Sequence, residues 1–263
     1  MISRLSSKTS GLWLAAAGAI VLAGCAGSRG AAWFQRPRTS RDYLNMALDS
    51  QRADDRREGI IGLARSRDGA TEWAVKVYDT VARTDTDPSV RCAALRALLR
   101  NLDARSVATG LKILRSADGP VEGIRPAPAR VRWGAARLLH AAVDADAYRE
   151  EQEEEIIQTL LQRVPKEEDV NVRLALIETM GCLPDRRVLP VLIDALEREN
   201  FAEQHAAELA LVALTGVSHQ HYAEAWRKWL SETPDPFEHM GEIPAEMQAK
   251  KSKPRWDWLE WWE

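Results

Sequence analysis

At 263 residues, 45% of them hydrophobic, the chain carries enough apolar sequence for one sizeable folded unit. Charged residues make up 29% and the net charge is −3, a mixed surface without the basic excess that marks nucleic-acid binding, so no nucleic-acid partner is expected. The three cysteines, Cys25, Cys92 and Cys182, form neither a disulfide framework nor a zinc spacing, and the Ala-, Leu-, Arg- and Glu-rich composition favours helix.

Residues 1–24 read as an export signal. Arg4 and Lys8 precede an apolar run from Gly11 to Leu22, with no acid anywhere in the stretch. A run of that length is short for a membrane span. It closes on Leu22-Ala23-Gly24-Cys25, which resembles the lipobox of bacterial lipoproteins at all four positions. The resemblance implies a thioether-linked diacylglycerol on Cys25, cleavage before it, and acylation, typically by palmitate, of the new N-terminus. Two or three acyl chains anchor stably, at about 0.8 kcal/mol per buried CH₂. Ala26 follows the cysteine, and in lipoprotein-sorting terms that resembles outer-membrane cargo facing the periplasm. Residues 25–40 lack periodicity and form a tether, with a reach of roughly 20–25 Å r.m.s..

From residue 41 the chain falls into helical pairs. The first pair is expected near Arg41–Asp49 and Asp54–Arg65, with Ile60, Ile61 and Leu63 inward. A helix from about Ala70 through Ala82 follows, with Trp73, Val77 and Val81 on its buried side. The clearest unit is Asp87-Pro88-Ser89-Val90-Arg91-Cys92-Ala93-Ala94-Leu95-Arg96-Ala97-Leu98-Leu99. Asp87 is a helix cap and Pro88 suits the first helical position. Val90, Ala94, Leu95, Leu98 and Leu99 make one apolar stripe. Cys92 and Cys182 are expected as small buried hydrophobes. The third pair opens with Val107, Leu111 and Leu114. An irregular joint, Ser116–Pro128, then leads to a second helix around Arg132. The fourth begins in the acidic run Glu150–Glu155, which suits a helix start and also a basic partner. Leu160, Leu161 and Val164 complete that helix and Pro165 ends it. The next helix surrounds Arg173. The fifth pair carries Val188, Leu189, Leu192, Ile193 and Leu196, then Ala206, Ala207, Ala210, Leu211 and Leu214. Gly216 closes it, and a last helix holds Tyr222, Trp226, Trp229 and Leu230.

Arg91, Arg132 and Arg173 are separated by 41 residues each. Repetition at that period marks a helical solenoid. The units Asp87–Leu95 and Asp169–Ile177 resemble HEAT repeats of the bacterial, short-helix type, and the similarity spans about residues 41–231. It implies an all-α, right-handed α-solenoid of about five helical hairpins, with second helices lining a concave face. Pro128 stands where the family prefers Asp, so that cap must be made differently. In HEAT-like folds the repeated arginine pairs with an acid of a neighbouring turn. A ladder binding phosphate or carboxylate is the other use open to Arg91, Arg132 and Arg173.

No phosphate loop, nucleophile elbow or Cys/His constellation occurs, and His219 and His221 lack a third ligand at metal spacing. Neither an enzyme, nor a cofactor, nor a metal is expected. Residues 232–263 form a Pro-rich, Trp-rich tail ending in Trp256, Trp258, Trp261 and Trp262, beside Lys250, Lys251, Lys253 and Arg255. Those rings have three uses: docking on their own repeats, meeting another protein together with Trp226 and Trp229, or resting at a membrane interface. The expected function is a lipid-anchored scaffold for protein–protein interaction at the cell envelope, its protein partner unidentified. The alternative is a lyase-like or small-molecule-binding accessory, because HEAT-like repeats also occur in phycobilin lyase-related proteins. Its cheapest sign is the Ser116–Pro128 insert folding over the groove.

Overall fold

A computed structural model of the chain describes residues 37–244. The export signal, Cys25, most of the tether, and Trp256, Trp258, Trp261 and Trp262 lie outside the described residues. Within them the fold is all-α. Eleven helices are present and no strand. They are α1 (Ser40–Asp49), α2 (Ala53–Arg65), α3 (Glu72–Thr84), α4 (Pro88–Leu99), α5 (Ala104–Arg115) and α6 (Ala129–Asp144). Then come α7 (Glu150–Lys166), α8 (Val170–Met180), α9 (Val188–Ala195), α10 (Phe201–Thr215) and α11 (Ala223–Glu232).

The helices pair as hairpins, α1 with α2 through α9 with α10, and each hairpin packs on the next. Second helices touch second helices in the series α2, α4, α6, α8, α10. First helices do likewise from α3 through α11. One apolar stripe per helix is covered by its hairpin partner and the flanking hairpins, and a single core runs from Ala47 to Trp226.

Local chemistry sets the helix starts. Asp87 accepts from the Ser89 and Val90 N–H groups, and Asp169 from Asn171 and Val172. Asp103 and Asn200 cap α5 and α10 in the same way. Pro128 begins α6 with no side-chain cap; its carbonyl takes the Val131 and Arg132 N–H groups instead. Gly216 ends α10 at φ 69°, and a Cβ there would lie 2.1 Å from the His239 carbonyl oxygen. Only glycine fits that turn.

Several inward assignments move. Trp73 is 40% exposed, and Ala74, Val75 and Tyr78 take the buried face of α3, with the Tyr78 hydroxyl donating to the Gly69 carbonyl. Trp73 sits in the first turn, off the stripe that the neighbouring helices cover. Ile61 and Leu99 lie at the open edge of the second-helix layer, 38% and 37% exposed. Cys92 is half-buried rather than fully buried, and Cys182, in the turn after Gly181, is exposed. Tyr222 stands just before α11, exposed, whereas Trp226 is fully buried. Pro165 does not stop α7, because the Glu167 N–H reaches the Arg163 carbonyl and closes one more turn around it.

Candidate functional site

The repeated arginines form a buried ladder between second helices. Arg132, on α6, donates Nε to Glu167 Oε2 at 2.9 Å and Nη2 to Oε1 at 2.6 Å, while Nη1 takes the Ala127 carbonyl. Arg173, on α8, makes the same fork on Glu203 at 2.9 and 2.7 Å and reaches the Glu167 carbonyl. Arg56, on α2, repeats the geometry on Asp85 at 2.8 and 2.9 Å. The Glu167 and Glu203 side chains are wholly shielded from solvent.

Glu167 is the most heavily coordinated of these acids. Arg163 donates Nη2 at 2.6 Å, and the backbone N–H groups of Glu168 and Asp169 add two bonds at 3.1 Å. Burial alone would raise this carboxyl, but the bonds from Arg132, the Asp169 backbone and Arg163 outweigh it and hold it at about 2. The Glu203 fork pushes the Arg173 guanidinium up, and the Glu167 fork does the same for Arg132.

Arg91 differs. It is 1% exposed and donates only to carbonyls, Nε to Ala82 at 2.8 Å and Nη1 to Pro126 at 2.9 Å. Pro126 stands three residues before the start of α6, where Asp85 and Glu167 stand before α4 and α8. A carbonyl replaces the carboxylate, and burial pushes the Arg91 guanidinium down. Most of the ladder's donors are thus spent on the chain's own groups, Arg91 Nη2 and Arg163 Nε being buried without a hydrogen-bond partner.

The surface groups that remain available lie on the same second helices. Between α4 and α6, with Arg57 of α2 at its edge, is an open hollow of about 350 Å³. Cys92, Leu95, Leu99 and Trp133 make its floor, and Trp133 is 43% exposed. Arg57, Arg96, Arg130 and Arg137 form its walls, and no acid lines it. Gly134 leaves room for Leu95, since a Cβ there would come 3.0 Å from Leu95 Cδ1. A smaller hollow beside it, of about 150 Å³ and lined by Ile61, Ala93, Arg96 and Arg100 among others, also lacks acids. Arg57 has a neighbour in Asp54 and Arg137 in Glu178, both solvent-exposed pairs worth little. Arg96 and Arg130 make no direct ion pair among the described residues, though after the Ser89 and Val90 bonds the Arg130 charge also helps to lower the Asp87 carboxyl. Exposed guanidiniums over an apolar floor, none of them held in a buried pair, suit a ligand that brings both carboxylates and rings.

The remaining candidates are placed elsewhere. The Ser116–Pro128 insert does not reach this hollow. Its Arg125 N–H bonds the Arg83 carbonyl at the end of α3, and Asp118 takes Arg163 at 2.8 Å. Of the acidic run on α7, Glu154 is forked by Arg187 and Glu155 meets Arg115. His219 packs edge-on to Trp226, and His221 against Phe201. Trp226 donates to buried Glu208 at 2.7 Å, and Trp229 packs edge-on against it. No group of three potential metal ligands occurs among the described residues. A scan against protein-family models finds no match to the chain, and no curated protein matches it.

Proposed function

We propose that the chain is a lipid-anchored scaffold of the cell envelope, a right-handed HEAT-like solenoid that holds a protein partner on its second-helix face. The single observation carrying this reading is the hollow between α4 and α6, where four exposed arginines wall an apolar floor with no acid among them. A partner segment mixing acidic and aromatic or aliphatic side chains satisfies both surfaces at once. The anchor rests on Leu22-Ala23-Gly24-Cys25, and Ala26 favours the outer membrane, facing the periplasm. Aromatic docking of this kind is passive: a rigid surface supplies area, and the partner supplies any chemistry.

Two measurements test it. Labelled palmitate is expected in the wild-type chain and absent from Cys25→Ser. Full-length protein is expected to retain a defined set of envelope proteins that the Arg96→Glu/Arg130→Glu variant loses. Identical retention by both proteins would remove the hollow from the interaction.

A further inference from the structure

We infer that the hollow between α4 and α6 is the docking site of this chain's own C-terminal segment, Trp256–Glu263, which a protein partner must displace. The inference rests on reading the hollow as a peptide-binding surface and names its resident occupant.

The two surfaces match in charge and in kind. Trp256-Asp257-Trp258-Leu259-Glu260-Trp261-Trp262-Glu263 carries an acid at every third position, with indoles and a leucine between them and no base. The hollow offers the inverse, guanidiniums around Leu95, Leu99 and Trp133. Arg96 makes no direct ion pair, Arg130 has only the Asp87 charge in range, and an indole stacks on a guanidinium plane as readily as on Trp133. The preceding bases Lys250, Lys251, Lys253 and Arg255 oppose a basic surface, so they stay outside the hollow and only Trp256–Glu263 enters it.

The reach is sufficient. Stacked helices lie about 8–10 Å apart, so the two steps from α10 to α6 and the third to α4 cover on the order of 20–30 Å. Residues 245–255 span up to about 36–40 Å when extended. Because the segment is tethered to its own site, its effective concentration is on the order of millimolar, and modest contacts keep the hollow occupied. A partner with the same acidic and aromatic chemistry then competes with it, so the tail sets a threshold for capture.

Cys92 provides the readout, since it lines the hollow, whereas exposed Cys182 lies in the turn after α8 and serves as an internal reference. The experiment uses the full chain with Cys25→Ser, alkylated with N-ethylmaleimide and followed peptide by peptide. Asp257→Lys/Glu260→Lys/Glu263→Lys, which substitutes no described residue, is expected to raise the Cys92:Cys182 rate ratio about tenfold, as for a site closed nine times in ten. Arg57→Glu/Arg137→Glu alone is expected to do the same. Combined with the lysine tail, that reversal is expected to restore protection, a rescue that local unfolding of either variant cannot produce. An unchanged ratio in the lysine-tail variant overturns the inference. Protection that vanishes on about a hundredfold dilution overturns it too, by assigning the tail to a second copy. If protection is absent while envelope capture still depends on Arg96 and Arg130, the scaffold reading stands and the tail assignment falls. If protection is present without such capture, the tail assignment stands and the scaffold reading falls.

Discussion

Arg132 lays both arms of its guanidinium across the two carboxylate oxygens of Glu167, at 2.6 and 2.9 Å, and the carboxylate it holds is wholly shielded from water. A charge so placed is stable only in company. Removing a partner exposes the cost of burying the other, typically about 3–5 kcal/mol.

Glu167→Gln is therefore expected to lose about 3 kcal/mol at neutral pH. The folded-state carboxyl is depressed from 4.5 to about 2, so its contribution is complete above about 4.5 and drains away as the pH falls through about 2. The stability gap between wild type and Glu167→Gln should narrow across that window. Urea unfolding at a series of acid pH values measures it; a gap constant down to the lowest pH would show that Glu167 keeps no depressed carboxyl.

Arg173 and Glu203 form the next rung, with Arg198 a weaker second neighbour at 3.7 Å. Arg173→Met and Glu203→Leu are each expected to cost about 3 kcal/mol, and the double variant clearly less than their sum, with a coupling of about 2 kcal/mol. A double-mutant cycle read by denaturant midpoints checks this, and strict additivity would mean that the fork does not form.

Gly216→Ala places a methyl group against the His239 carbonyl in a left-handed turn. The expected loss is about 2 kcal/mol, with residues 237–242 released from the end of α10. Faster amide exchange at Gly241, whose N–H bonds the Ala213 carbonyl, is the specific signature.

Trp226→Phe keeps most of the buried ring but deletes the donor to Glu208. That carboxylate is then left with the Ser218 hydroxyl. The expected cost is about 2 kcal/mol. Adding Glu208→Gln to the variant should recover part of it, whereas no recovery would place the whole effect in packing.

Much of the helical plan was legible before any coordinates. Asp87 announced its helix through cap chemistry that acts within three residues, and Gly216 its turn. The apolar stripes located Val107, Leu111, Leu189 and Leu192 because period alone decides which face a helix buries. Periodicity failed where the edge of the layer matters. Leu99 and Ile61 sit on the correct stripe yet remain open, since coverage depends on neighbours supplied by other hairpins. Arginine partners were similarly hidden, because Glu167 lies 35 residues from Arg132. The echo was present in the spacing, as Asp85 precedes Asp87 by the same two residues that separate Glu167 from Asp169. The hollow's walls left a trace as well: Arg96 and Arg137 stand 41 residues apart, and so do Cys92 and Trp133. A second column of arginines was thus written in the chain beside the buried one, but only packing distinguishes a guanidinium held in a buried fork from one at the surface.

The calibre of the trough is governed by an absent methyl group. Because residue 134 has no side chain, Leu95 Cδ1 occupies space that a Cβ there would crowd at 3.0 Å. Alanine there would lift Leu95 and make the channel shallower while leaving every charge in place. Position 134 is therefore a dial for what bulk of ring can be seated, independent of how strongly acids are drawn in.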